Sequence, residues 1–272
     1  MFLSFFDEVY VINLPYRTDR LSEMEEELSR HGIAYTVFEA THDENGINGL
    51  VQTMKKLLQA IISKKQKNVI ILEDDAQFLV KNPVAFLHEV LPQLPKNYHL
   101  FYLGLNLIAP PKRISENIMK VTDCYSTHAI AYSYEGARIA YERLNAVPLM
   151  PYDIFIRQEV LPLGQSYCTI PMMATQRISY SDIEKKIPNW GDLMSMTFNM
   201  HTKNIQIMAE EIINCQYGHK INGEFPVVDS TKFEIQNPEL IGKECDCNRF
   251  VYDEGLCSTC SGDKWKIIWR EK

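Results

Sequence analysis

Short apolar runs alternate with longer amphipathic segments through the first third of the chain, and the spacing of apolar positions separates strands from helices. In "EVYVINLPY" (8–16), β-branched and aromatic residues form a run too short for a helix, and Pro15 ends it, which predicts a buried strand and a turn. In "TDRLSEMEEELSRHGI" (18–33), Leu21, Met24, Leu28 and Ile33 recur at near-helical spacing among acids. Thr18 or Asp19 can cap this helix and Gly32 can close it. "YTVFEA" (35–40) reads as a second strand, "GLVQTMKKLLQAIISKKQ" (49–66) as a second amphipathic helix, and "NVIILED" (68–74) as a third strand. Residues 8–75 therefore spell β-α-β-α-β, the pattern of a largely parallel sheet with helices on its faces. Ligands of such sheets sit at the carboxyl ends of the strands, so Asn13 and the acids after Leu72 fall on one edge.

Beyond this half the pattern is looser. "HLFYLGLN" (99–106) predicts a strand, "THAIAYSYEGARIAYERL" (127–144) a strand running into a helix, and "QSYCTIPMMATQ" (165–176) a late strand pair. Ser179–Asp192 is polar, carries Pro188 and Gly191, and reads as a loop at the active edge; 193–217 reads as one long helix or two shorter ones.

Composition narrows the class. At 46% hydrophobic over 272 residues the chain can bury one large core with room for a small appendage. With 28 basic and 35 acidic side chains the net charge is −7, which disfavours a nucleic-acid binder. The apolar start meets Asp7 and Glu8 without a basic leader, and no later run approaches a membrane span, so a cytoplasmic location without a transmembrane segment is expected. Three of seven cysteines (Cys124, Cys168, Cys215) are scattered singly as buried thiols often are; the other four cluster near the C-terminus, which favours metal over disulfides.

The main chemical signal is "VIILEDDAQF" (69–78), where an apolar strand runs into Glu73, Asp74 and Asp75. One reading is a solvated turn. The other is a divalent cation site, since hard oxygen ligands suit Mn2+ or Mg2+, which typically take one or two protein carboxylates and fill the remaining positions with phosphate and water. While strand geometry persists, Glu73 and Asp75 point to one side and can share a metal, and Asp74 points to the other, toward a sugar hydroxyl or a backbone amide.

Segments in order resemble glycosyltransferase family 25, the group of lipooligosaccharide and procollagen galactosyltransferases: "VYVINLPYRTDRLSEMEEEL", "ILEDDAQF", "YLG" at Tyr102–Gly104, "THAIAYSYEGARI", "PYDIF" and "PMMATQRISYSDIEKK". The resemblance spans roughly residues 8–187, with a departure at "GINGLVQTMKK", which keeps the family's glycine but lacks its serine and histidine. It implies an α/β, glycosyltransferase A-type (Rossmann-like) domain using a UDP-sugar with Mn2+ or Mg2+ and transferring a hexose, with inversion, to a hydroxyl on a glycan or a modified protein. Lipopolysaccharide biosynthesis, in a bacterial or viral setting, is the context that fits a chain without a secretory leader.

On that reading Asn13, Leu14 and Arg17 line the nucleotide, Glu73 and Asp75 hold the metal, and Asp74 lies near the donor sugar or ribose. Arg20 is either a phosphate contact or a helix-face ion pair. Asp153 is the candidate base, or a helix cap; His128 faces the donor or is a satisfied core histidine. Gln176, Ser181 and Asp182 match the last motif and could close over the diphosphate. The alternative function is a catalytically inactive sugar-nucleotide-fold protein acting as a zinc-tailed binding or scaffolding module.

The tail stands outside the resemblance. "CDCNRFVYDEGLCSTC" places Cys245, Cys247, Cys257 and Cys260 on two short knuckles suited to a tetrahedral structural Zn2+, with unpaired or redox-active thiols as the other reading. Trp265 and Trp269 follow at helical i, i+4 spacing, and Lys264, Lys266, Arg270 and Lys272 make this end basic enough to touch an anionic surface. The expected division is a catalytic domain over 1–198, a helical or irregular connector over 199–239, and a Cys-rich zinc-ribbon-like tail over 240–272.

Overall fold

Three consecutive parallel strands organise the chain, as the β-α-β-α-β pattern predicts. The computed structural model describes residues 5–181, 185, 189–202, 233–235 and 269–271. Two units divide the chain, Met1–Phe198 and Asn199–Lys272. The first begins with β1 (Glu8–Asn13), α1 (Thr18–Arg30), β2 (Thr36–Glu39), α2 (Gly46–Ser63) and β3 (Asn68–Glu73). β2 and β3 flank β1, each parallel to it. Next come β4 (Ala76–Phe78), α3 (Pro83–Val90), β5 (Leu100–Tyr102) and four short strands, β6 (Asn106–Leu107), β7 (Lys112–Arg113), β8 (Ile118–Lys120) and β9 (Cys124–Tyr125). They lead to β10 (Ala129–Ser133), α4 (Tyr134–Leu144), α5 (Tyr152–Phe155), β11 (Ser166–Thr169), β12 (Ala174–Gln176) and α6 (Trp190–Thr202).

The main sheet has the order β2-β1-β3-β10-β5-β11-β8-β7. β10 runs antiparallel between β3 and β5, and β8 antiparallel beside β11, while β11 is parallel to β5. The fold is the mixed α/β class expected, with a parallel, Rossmann-like half. No helix among the described residues is long and apolar enough to cross a membrane.

Strict alternation in the central strands builds two cores. Tyr10, Ile12, Val69 and Ile71 pack with Leu57, Leu58 and Ile61 of α2 on one face. Val9, Val11, Ile70 and Leu72 pack with Met24 and Leu28 of α1 on the other. Each fully buried Leu, Ile or Val contributes about 1.5–3 kcal/mol, so a one-residue slip of β3 would forfeit several such terms on both faces.

Several boundaries differ from the sequence reading. α1 starts without a side-chain cap, because Thr18 is already helical and Arg17 occupies the cap position; its end closes at Gly32 (φ +64°) as expected. α2 begins at Gly46, earlier than its apolar stripe suggests, because the Asn45 side chain accepts the Ile47 N–H at 3.1 Å. The late strand pair is split: β11 joins the main sheet, whereas β12 pairs antiparallel with β4 in a separate ribbon just beyond β3. α6 starts at Trp190, inside the segment read as loop, with the Asn189 side chain accepting the Asp192 N–H at 3.2 Å.

Of the second unit, β13 (Phe233–Ile235) and β14 (Trp269–Glu271) are described, paired antiparallel. Trp269 thus lies in a strand rather than on the helix its spacing with Trp265 suggested. The four tail cysteines, Trp265 and Asp182 lie outside the described residues.

Candidate functional site

The β4–β12 ribbon sets the position of the acids. β3 ends at Glu73, Asp74 and Asp75 form a tight turn, and the chain re-enters extended structure at Ala76, opposite Gln176. The alternation predicted for the three acids therefore stops after Glu73. Glu73 keeps the parity of Ile71 and faces a cleft of about 820 Å³, which opens beyond the ends of β1 and β3 and is also bordered by Asp74, Asp75 and Gln176. It is lined further by Tyr152 and Asp153 from α5, Tyr125–Thr127 from the segment before β10, Tyr16, Thr41–Glu44 from the loop after β2, and Gly46, Ile47 and Gly49 from the first turn of α2.

Glu73 accepts the Thr127 hydroxyl at 2.9 Å. Burial, then the charge of Asp75, push its carboxyl up to about 8, against the Thr127 hydrogen bond, with Asp74 and Asp153 adding smaller repulsions. Ser126, beside Thr127, holds a left-handed backbone (φ +75°), a strained conformation for a non-glycine residue. Asp75 is also raised by burial, opposed first by the Arg20 guanidinium and then by the Gln176 amide, whose nitrogen lies 3.3 and 3.4 Å from the two carboxylate oxygens. Asp74 is pushed up to about 6 by burial, again opposed by Arg20.

These features fit a hard divalent cation. Glu73 and Asp75 offer oxygen ligands to the cleft; burial holds both above the usual carboxylate range, and like charge adds to it for Glu73, costs that a cation would relieve. Among the described residues no three His, Cys, Asp or Glu side chains form a ready-made cage. Mg2+ and Mn2+ do not require one when phosphate and water complete the shell.

Other predicted site residues are placed differently. Asp74 borders the cleft, but its Oδ1 takes the Arg20 Nη1–H at 2.6 Å, so it is engaged by protein rather than free for a sugar. Arg20 makes this buried pair instead of a helix-face ion pair. Asn13 has the parity of Val11, is 3% exposed and turns away from the cleft, its amide donating to the Leu14 carbonyl at 2.8 Å. Arg17 is not among the cleft-lining residues; it pairs with Asp19 and donates to the Tyr180 carbonyl. His128 is fully buried, its pKa lowered to about 4 by burial, with its ring against Gly104 and Ala174; it belongs to the core.

Leu14, Gln176 and Ser181 border the cleft. Asp153 does so too; it stands in the first turn of α5, where Pro151 holds the cap position without a side-chain hydrogen bond, and its carboxylate accepts its neighbour Ile154's N–H at 2.8 Å, so it is not the helix cap of the second reading. Sequence reasoning passed over Tyr16, the Thr41–Glu44 loop, Thr127 and Tyr152. The rule that ligands gather where parallel strands end would have drawn in the loop after β2. Nothing in the sequence pairs Thr127 with Glu73, 54 positions apart.

No family model and no curated protein matches this sequence. Among solved structures the chain is similar to a glycosyltransferase involved in glycosylation of the major capsid of PBCV-1, at 14% identity and a TM-score of 0.43, covering 70% of this chain and 98% of that one. It is also similar to A197 from STIV, at 12% identity and 0.40, covering 67% and 94% respectively. A third similar structure is a UDP-glucose pyrophosphorylase complexed with UDP-glucose, at 9% identity and 0.37, covering 60% and 90%.

Proposed function

We propose that this chain is a metal-dependent, inverting glycosyltransferase of the family-25 type, moving a hexose from a UDP-sugar to a hydroxyl on a glycan or a modified protein. The observation that carries the reading is the convergence of Glu73 and Asp75 at the end of a central parallel strand, on a cleft of about 820 Å³ that also receives Asp153. A cleft of that size lies within the range that takes small-molecule ligands.

Glu73 and Asp75 would hold Mn2+ or Mg2+, which neutralises the charge of the departing diphosphate. Leu14 and Tyr16 offer an apolar and aromatic rim for a base, and Gln176, Ser181 and Lys185 border the same cleft as polar contacts for the rest of the donor. Asp153, near enough for its charge to raise Glu73, accepts the proton of the attacking hydroxyl. In-line attack by that hydroxyl inverts the anomeric carbon and expels UDP. The Cys245–Cys260 cluster is read as a structural Zn2+ clip, tested by metal content before and after Cys257→Ser.

The test is a panel of UDP-sugars with and without MnCl2. Mn2+-dependent thermal stabilisation by one donor, together with UDP release that is lost in Asp75→Ala, is expected; a panel in which no UDP-sugar binds or turns over removes the reading.

A further inference from the structure

One arginine ties the acidic turn to the chain segment that crosses it. The Arg20 side chain is 11% exposed. Its Nη1 donates to Asp74 at 2.6 Å, and its Nη2 donates to the Ser179 hydroxyl at 2.6 Å and the Tyr180 carbonyl at 3.0 Å. The same Nη2 stands 3.6 Å from Asp75 Oδ2. Nε is buried without a hydrogen-bond partner.

Residues 176–181 form a strap over the turn. The Arg177 N–H donates to the Asp75 carbonyl at 2.7 Å. Its guanidinium grips the Glu23 carboxylate at 3.2 Å and carbonyl at 3.1 Å. Arg17 adds a donor to the Tyr180 carbonyl at 3.4 Å. Arg17, Arg20 and Glu23 recur every three residues, so one face of α1 carries the latch. An arginine serving only to neutralise Asp74 would not need two bonds to the strap.

We propose that Arg20 is a positioning residue that couples occupancy of the Glu73–Asp75 cation site to the grip on strap 177–181. The proposal rests on the cation reading above. Asp74 supplies the permanent counter-charge, and the 3.6 Å approach to Asp75 is the contact that can be exchanged. A divalent cation on Asp75 repels the guanidinium, which gives up that approach and concentrates its donors on Asp74, Ser179 and Tyr180. The strap is then held more tightly when the cation is present.

Amide hydrogen exchange on the full chain, with MnCl2 alone as the probe, tests this; Mn2+ binding is followed separately by the electron paramagnetic resonance of the free ion. In the wild-type protein Mn2+ should slow exchange across 177–181 by about threefold or more, with α3 unchanged. Arg20→Gln/Asp74→Asn, which removes both charges together, should bind Mn2+ yet show no slowing in the strap. Ser179→Ala leaves Arg20 and the acids intact and should weaken the slowing, with Mn2+ affinity lowered by no more than the factor lost from the slowing, so the coupling stays testable even if the double variant does not fold. Slowing that persists in full in either variant overturns the role of Arg20. Wild-type protein that binds Mn2+ without slowing in the strap overturns the coupling alone, whereas wild-type protein that binds no Mn2+ overturns the cation reading together with it.

Discussion

Gly104, in the "YLG" segment, is a position where a single methyl group should do severe damage close to the cleft. A Cβ at this position would lie 2.2 Å from the Ala174 carbonyl oxygen, 2.3 Å from His128 Nε2 and 2.8 Å from the Ala174 carbonyl carbon. Ordinary non-bonded contacts sit near about 3.5–4 Å, so the backbone of β12 or the start of the loop after β5 must move by more than about 1 Å. The His128 ring could rotate aside, but the Ala174 carbonyl belongs to the strand that carries Gln176 to Asp75. Overpacking against backbone costs typically about 1–3 kcal/mol and sometimes more, and this contact warrants the upper figure. For a domain near 200 residues that is about 6–12 °C in Tm at roughly 2–4 °C per kcal/mol.

Gly32→Ala is the comparison. There the new Cβ meets nothing within 4 Å, and only the positive φ of +64° opposes it, at about 1–2 kcal/mol. Urea melts of both variants, followed by circular dichroism, measure the difference. If Gly104→Ala costs no more than Gly32→Ala, the close packing of β12 on Gly104 is wrong, and with it the placement of Gln176.

Three further outcomes follow from the same contacts. Arg20→Met should cost about 3–5 kcal/mol because it strands the Asp74 carboxylate, and Arg20→Met/Asp74→Leu should recover most of that in denaturant melts. Burial lowers the His128 pKa from 6.5 to about 4, so the unfolded chain binds the extra proton between those values. Its contribution is complete above pH 6.5 and is lost as pH falls toward 4, about 3 kcal/mol at about 1.36 kcal/mol per pH unit; the raised carboxyls of Glu73, Asp74 and Asp75 titrate in the opposite sense in both proteins, so the difference in urea stability between wild type and His128→Gln at pH 7, 5.5 and 4.5 should carry this slope. Asp153→Asn keeps an acceptor for the Ile154 N–H, so Tm should hold while transfer falls about 10²–10⁴-fold; unchanged turnover would remove Asp153 as the base.

The parallel half of the fold was legible because its signals are local. Val9–Ile12 and Val69–Leu72 are continuous apolar runs, and Met24 and Leu28 mark a helix face by spacing alone. Strand ends were legible for the same reason: Pro15 and the three acids stop the apolar runs. Asn13 was misplaced, and the choice between the two readings of His128 stayed open, because nothing in their neighbourhoods encodes which side of the backbone meets a cleft. Asn13 differs from Ile12 by one position, and pleat parity alone sends one to the cleft side and the other to the α1 side.

By itself the sequence determined the order of elements, the carboxyl edge on which ligands gather, and the residue types for hard-cation chemistry there, since period and composition act over a few residues. Only the tertiary structure decided what each acid does. Asp74 belongs to Arg20, 54 positions away, and Gln176 reaches Asp75 from 101 positions away because β12 left the main sheet to pair with β4. Such pairings are set by packing between distant segments and by burial, which raises the carboxyls of Glu73, Asp74 and Asp75 above their usual range.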